Sequence, residues 1–270
     1  MRKFILFLTA FLSLSAETAL AHEFWLSPQS YQVEPGAPVL TDLRLGQDFS
    51  GAPLSYLPNR LSRFEMIQGE IVTKITGRMG DQPAMAAPAP GQGLAIIVHE
   101  TTDNLLTYTD WSKFTAFVTH KAFPDALNRH AARGLPQIGF SETYRRYAKS
   151  LVAVGDGHGQ DRDVGLETEI IALKNPYTDD LSQGLPVQVL YRGAPRVDTQ
   201  LEVFQRSPSG DVVITKLQTD ALGQVSVPVL PGHEYLLDAV MLLDTGNDDP
   251  KAGPVWQSLW AALTFMIPLD

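Results

Sequence analysis

The chain has 270 residues, no cysteine and a formal net charge of −9 at pH 7. This length suits one large domain or two modest ones, each with an ordinary hydrophobic core. Without cysteine the chain has neither disulfides nor thiolate metal ligands, which excludes a thiol-rich zinc site. The acidic balance disfavours nucleic acid and anionic membranes as partners.

The amino terminus has the pattern of a cleaved signal peptide. Arg2 and Lys3 precede a mostly apolar run over residues 4–14, and residues 19–21 (Ala-Leu-Ala) have the small-x-small pattern that signal peptidase cuts. The apolar run is about half of the roughly 20 residues that a membrane span needs. We therefore predict a signal peptide over residues 1–21 and an exported, periplasmic protein that does not span the membrane after cleavage.

Residues 22–165 are predicted to form a β-rich domain with a helical insertion. Phe114, Phe117 and Val118 follow the i, i+3, i+4 spacing of an amphipathic helix. The runs with strand character are 39–45, 63–75, 93–99 and 105–108, and those with helical character are 111–122, 126–133 and 141–151.

Residues 166–270 are predicted to form a second domain that is nearly all β. Seven short runs with β-branched and aromatic content are mostly bounded by Gly, Pro, Asp or Asn, which is typical of an immunoglobulin-like or prealbumin-like sandwich. These runs are 167–173, 186–191, 199–205, 212–217, 224–229, 234–243 and 256–267. The whole mature chain is thus expected to be mainly β, with two sandwich-like domains.

Cleavage after residue 21 would make His22 the first residue of the mature protein. Its free α-amine and ring Nδ1 would then chelate one metal ion together, the arrangement called a histidine brace. Another imidazole would complete a set of nitrogens suited to Cu(II) or Ni(II). We select His99, at the end of a predicted strand, and His120, beside the apolar face of a predicted helix, as the further candidate ligands.

The sequence after His22 bears on whether the terminus is ordered. A histidine left at a frayed end is one interpretation, since chain termini are commonly mobile. Against it, Phe24, Trp25 and Leu26 are bulky and apolar, which predicts that the terminus is anchored by packing. Glu23 is expected to be a partner of a ligand or a solvated surface charge.

Two other groups of residues deserve a prediction. In a helix, Arg145 and Lys149 would share a face and bind an anion or a carboxylate, although a structural pairing between the domains is favoured. His130 is expected at the surface, because Arg129 and Arg133 flank it. The sequence has no nucleophile elbow, metalloprotease helix or phosphate loop, so we predict no active site of these kinds.

The start of the mature chain, His22-Glu23-Phe24-Trp25-Leu26, resembles that of a family of exported proteins described as periplasmic components of cobalt or nickel uptake systems. Further similarity follows in the segments 142–151, 165–171, 175–177 and 256–265. The resemblance implies a nickel or cobalt ion as cargo and a membrane metal transporter as partner.

Two functions fit these observations. The first is a periplasmic protein that binds nickel or cobalt through His22 and delivers it to a membrane uptake system. The alternative is a copper-binding histidine-brace protein, either a copper carrier or a mononuclear copper oxygenase. A sandwich with a purely adhesive or structural role is a third, because a fold does not dictate function.

The cleavage site is directly testable. Amino-terminal sequencing of the protein recovered from the exported fraction should return His22 as the first residue. An additional residue before His22 would remove the free amine from the histidine and with it the brace hypothesis.

Overall fold

The computed structural model describes residues 22–269, so the predicted signal peptide and its cleavage site lie outside the described residues. The protein is mainly β, with 49% of the described residues in strands and 8% in helical segments, and this confirms the predicted sandwich-like class. Among residues 22–269, no helix has the length and apolarity that a membrane span requires.

The strands before the helices form the amino-terminal part of the structure. They are β1 (Glu23–Pro28), β2 (Gln32–Val33), β3 (Pro38–Gln47), β4 (Ser50–Leu54), β5 (Leu61–Gln68), β6 (Ile71–Lys74), β7 (Met85–Pro88), β8 (Gly93–Thr101) and β9 (Asn104–Tyr108). The helices are α1 (Trp111–His120), which Asp110 caps by accepting a hydrogen bond from the Ser112 N–H, and α2 (Ala126–Ala132).

The remaining strands follow the helices. They are β10 (Phe140–Val154), β11 (Thr168–Ala172), β12 (Leu185–Tyr191), β13 (Ala194–Pro195), β14 (Gln200–Arg206), β15 (Val212–Gln218), β16 (Gln224–Val227), β17 (Glu234–Asp244) and β18 (Trp256–Met266). All seven predicted runs of the carboxy-terminal half are strands.

One ten-stranded sheet forms the centre of the fold. Its main path is β15-β14-β17-β18-β10-β8-β5-β6, and β2 and β9 also pair with β10. The contact between β10 and β18 is parallel, and it joins strands from the two sides of the predicted domain boundary at residues 165/166. The division into two domains stays a prediction, but a continuous hydrogen-bonded sheet crosses its boundary.

A smaller sheet covers each face of the central sheet. On one face, β11, β12, β13 and β16 enclose a core that includes Tyr147, Leu151 and Leu263. On the other face, β1, β3, β4 and β7 enclose a core that includes Trp25 and Ala148. The two helices cover the same second face beside β1, over an aromatic cluster that includes Phe114 and Trp256.

The helix predicted over residues 141–151 is wrong, because these residues belong to the fifteen-residue strand β10. Residues four apart share a face in a helix and also in a strand, so the spacing of Arg145 and Lys149 did not distinguish the two structures. Side chains that alternate between two faces identify a strand. The side chains of Arg145, Tyr147 and Lys149 bond to groups on one face of the sheet, and Tyr144 and Arg146 lie on the other.

A buried ion cluster attaches β10 to the sheet that follows it. The ammonium of Lys149 lies 2.6 Å from Asp161 and 2.8 Å from Glu169, and all three side chains are at most 1% exposed. Removing one partner of such a cluster leaves an uncompensated buried charge. The resulting loss of folding free energy is far larger than the net contribution of the intact cluster.

We expect Lys149→Met to lower the free energy of unfolding by roughly 3–5 kcal/mol, because Asp161 and Glu169 would lose their buried cation. Denaturant unfolding measures this change. The matched control is Lys251→Met at an exposed position, which should stay within about 0.5 kcal/mol of the parent. Equal effects of the two substitutions would contradict a structural role for the cluster.

Candidate functional site

His22 lies at the surface directly before β1, and the chain becomes buried at the next residue. Glu23, Phe24, Trp25 and Leu26 are at most 5% exposed, as the apolar content of this segment predicts. The carbonyl oxygen of His22 accepts a hydrogen bond from Arg146 Nη2 at 3.3 Å. The position of His22 is therefore fixed by the packing of β1.

His22 borders a cavity of about 210 Å³, which we call the His22 pocket. The pocket lies between α1, β9, β10 and β18, so its walls come from segments far apart in the sequence. Residues that line it include His22, Tyr108, Lys113, Tyr144, Arg146 and Trp260.

Strand β10 supplies one wall of the His22 pocket through alternate residues. Glu142, Tyr144 and Arg146 point to the same face of the sheet, and all three line the pocket. The parallel register places Arg146 beside Trp260 of β18. The guanidinium of Arg146 lies 4.7 Å from the centre of the Tyr144 ring, a distance typical of a cation–π contact.

Glu142 is the buried carboxylate of this pocket. One of its oxygens accepts a hydrogen bond from the Tyr108 hydroxyl at 2.8 Å, and the other accepts one from the Ser258 hydroxyl. Burial raises the pKa of Glu142 to about 7, and the two hydroxyl hydrogen bonds act in the opposite direction. Near neutral pH the carboxyl group therefore exists in both protonation states.

A second, smaller cavity of about 30 Å³ also borders Phe117 and has room for about one water molecule. Glu23, His120, Lys121 and Glu202 line this cavity. Burial, together with the nearby negative charge of Asp238, raises the pKa of Glu23 to about 8. Glu23 is thus a buried and largely protonated acid, which differs from the solvated charge that was one of its predicted states.

Lys121, which lines the second cavity, pairs with two buried carboxylates. Its ammonium bonds to Glu202 and lies 2.8 Å from Asp238, with all three side chains buried. Burial works to raise the pKa of Glu202, but hydrogen bonds from His120 and Lys121 more than offset this and lower the pKa to about 2. A cation of the protein itself therefore occupies the centre of this acidic group.

His120, the second predicted ligand, is half-exposed at the end of α1. Its Nε2 lies 2.8 Å from a Glu202 oxygen, so this ring nitrogen already has a carboxylate partner. His120 lines the second cavity but not the His22 pocket.

His99, the third predicted ligand, is buried in the aromatic core. Its ring centre lies 5.2 Å from that of Phe24 and 5.0 Å from that of Phe64, and the residue is 2% exposed. Its Nδ1 is buried and has no hydrogen-bond partner among residues 22–269. Desolvation lowers the pKa of His99 to about 3, so the imidazole is neutral at physiological pH.

The structure does not bring the three predicted ligands into one site. His22 borders its own pocket, His120 the second cavity and His99 the core. Within residues 22–269, no group of three or more His, Asp or Glu side chains has the geometry to hold a metal ion. Joint coordination by His22, His99 and His120 stays a prediction without geometric support.

Two further predictions concern side chains. For Arg145 and Lys149 the structure shows the favoured structural pairing and not an anion site, because Arg145 pairs with Glu100 and Asp103 and Lys149 with two buried carboxylates. The prediction for His130 requires correction. His130 is buried rather than at the surface. The arginines beside it stack on Trp256 instead of directing it to solvent, and its Nδ1 accepts a hydrogen bond from the Trp256 indole.

Residues 19–242 match the model of a family described as "Domain of unknown function (DUF4198)". The chain belongs to this family. No curated protein matches the sequence. Among solved structures, one match is described as "Crystal structure of tetra-tandem repeat in extending region of large adhesion protein", at 10% sequence identity and a TM-score of 0.20. The alignment covers 91% of this chain and 49% of the other, so the family member spans about half the length of that protein.

The burial of His99 predicts a specific dependence of stability on pH. The pKa of this imidazole is about 3 in the folded protein and near 6.5 when exposed, so the unfolded chain binds a proton that the folded chain does not. Stability is therefore lost as pH falls from 6.5 towards 3. Between pH 7 and pH 4.5 we expect this group alone to remove roughly 2–3 kcal/mol.

The measurement compares the free energy of unfolding of the parent and His99→Leu at both pH values. The loss on acidification should be smaller in His99→Leu by the amount given above. His158→Gln, at an exposed histidine, should retain the loss seen in the parent. An unchanged loss in His99→Leu would show that the imidazole is accessible to protons in the folded state.

Proposed function

We propose that this family member is an exported protein that binds a transition-metal ion, nickel or cobalt, at its processed amino terminus and delivers it to a membrane uptake system. The observation that supports the proposal is the burial of β1 from Glu23 onward. With cleavage after residue 21, the amine and imidazole of His22 would be held at the edge of the His22 pocket and not on a mobile tail.

The chemistry of a terminal histidine suits this role. The α-amine and Nδ1 of one residue close a six-membered ring with a metal ion, and the buried strand behind His22 restricts the backbone of that residue. A donor that is already positioned loses less conformational freedom on binding than a mobile one does. The amine must release its proton, which is feasible near neutral pH because its reference pKa is about 8.

The proposed site is open on the solvent side. His22 is exposed, and neither His99 nor His120 lines its pocket, so the protein supplies two nitrogen donors from a single residue. Water or a small molecule would fill the remaining positions of the metal. An incomplete set of protein ligands favours exchange, which is what delivery to a transporter requires.

We expect the mature chain that begins at His22 to bind Ni²⁺ with one saturable site, and the same chain with a methionine before His22 to bind it far more weakly. The added residue converts the amine into an amide and leaves the imidazole and the fold in place. The Ni²⁺ affinity should fall by more than the roughly 10- to 100-fold that follows removal of a group that only orients a metal ligand. Isothermal titration in a buffer that does not bind metals measures both affinities.

His22→Ala should lose binding to the same extent, and His158→Gln should keep the affinity of the parent. Equal Ni²⁺ affinities of the mature chain and the methionine-extended chain would contradict the proposal. Parallel titrations with Co²⁺ and Cu²⁺ give the order of affinities among the three ions. Tighter binding of Cu²⁺ is expected in any case, because nitrogen donors favour Cu²⁺ whatever the biological cargo. Reductant-dependent oxidation of a polysaccharide by the copper-loaded chain would instead favour the oxygenase.

A further inference from the structure

The His22 pocket contains two side-chain cations that have no ion-pair partner among the described residues. Among residues 22–269, neither Arg146 nor Lys113 lies within ion-pair distance of a carboxylate oxygen. The neighbouring Arg145 illustrates the contrast, because Glu100 and Asp103 neutralise it at 3.0 and 2.7 Å.

Arg146 is the more unusual of the two cations. Its guanidinium is wedged against the rings of Tyr144 and Phe24, at 4.7 and 5.9 Å from their centres. Nη2 donates to the carbonyl of His22, whereas Nε is buried and has no hydrogen-bond partner in the described part of the chain. Five N–H groups in a planar fork match a carboxylate, and leaving such donors unpaired costs free energy.

Lys113 supplies a second positive charge, from the part of the pocket lining that belongs to α1. It lies in the first turn of α1, is exposed to solvent and lines the same pocket. Asp110 is near enough to sense its charge but does not pair with it. The side chain is therefore able to reach an anion at the mouth of the pocket.

The rest of the pocket fits a carbon skeleton. Tyr108, Phe117 and Trp260 are buried aromatic residues that line it. Its volume of about 210 Å³ is below the roughly 300 Å³ of the smallest pockets that hold drug-sized ligands, so it suits a small metabolite. The carboxyl of Glu142 is screened by hydroxyl hydrogen bonds, and burial raises its pKa to about 7, which reduces its opposition to an anion.

We propose that the His22 pocket binds a small organic anion with two or more carboxylate groups, one on the Arg146 guanidinium and another on the Lys113 ammonium. This inference goes beyond metal binding, since the two cations and the aromatic walls exist without a metal. The two sites are compatible, because a bound polycarboxylate would neutralise the charges that otherwise repel a divalent cation beside His22.

The experiment uses the mature chain, stripped of metal and exchanged into Tris chloride without chelators, with succinate and citrate as probes. We expect saturable binding by isothermal titration with a Kd between roughly 10 μM and 1 mM. Arg146→Gln should weaken succinate binding at least about tenfold, because it removes a bidentate charged contact. Lys113→Ala should weaken it about threefold, because it removes an exposed charged contact. Arg145→Gln is the matched control and should bind succinate like the parent.

Two comparison ligands and one fallback variant keep the proposal open to refutation. Succinamide has the same skeleton without charge and should not bind, whereas equal binding of succinamide would refute a charge-directed site. Inorganic phosphate should bind more weakly than succinate, and equal affinities would refute the carbon-skeleton part of the proposal. If Arg146→Gln does not fold, as judged by thermal melting, Lys113→Ala decides, because its position is exposed.

The failure of this proposal is distinguishable from the failure of nickel binding. Succinate binding that is absent up to about 10 mM, or that appears only after Ni²⁺ is added, would overturn the anion site, even if His22 binds the metal. Succinate binding by a mature chain that does not bind Ni²⁺ would support the anion site alone.

Discussion

The burial of β1 from its first residue is the constraint on which the candidate site depends. The strand pairs with β3 in a register that begins at Glu23 and Gly46, and its opposite side packs on the central sheet, where the Thr264 hydroxyl donates to the Leu26 carbonyl at 2.8 Å. Trp25 and Leu26 are completely buried. A shift of the β1 register by one residue would reverse the faces of every side chain in the strand, so the packing of β1 determines where His22 lies.

Alternation along β10 separates structural charge from unpaired charge. The odd-numbered residues Arg145 and Lys149 face carboxylates, and the Lys149 cluster attaches the loop near Asp161 and strand β11 to the central sheet. The even-numbered Glu142 and Arg146 face the His22 pocket, where Arg146 has no ion-pair partner in the described chain and Glu142 is held by hydroxyl groups. One strand thus carries both a stabilising cluster and the polar wall of the pocket, because a pleated strand presents successive side chains to opposite sides.

The sequence predicted the fold better than the site. Strands such as β12 and β17 were recognisable because β-branched and aromatic residues lie between turn residues, and α1 because Phe114 and Phe117 repeat at helical spacing. Strand β10 was misassigned as a helix, since residues four apart share a face in a helix and in a strand. The alternate residues 142, 144 and 146 were the signal that would have located the pocket wall. Other lining residues, such as those at positions 22, 113 and 260, are far apart in the sequence. The parallel pairing of β10 with β18 and the placement of α1 bring them together, and no local pattern encodes these contacts.

The proposed metal ion binds at the processed terminus, beside an aromatic pocket with two cations. The most direct measurement is anomalous diffraction at the nickel absorption edge from crystals of the mature chain grown with Ni²⁺. We expect one strong peak about 2.1 Å from both the α-amine nitrogen and Nδ1 of His22, the usual length of a bond between a first-row metal and a nitrogen ligand. A peak at other side chains, with the His22 nitrogens uncoordinated, would contradict the proposal.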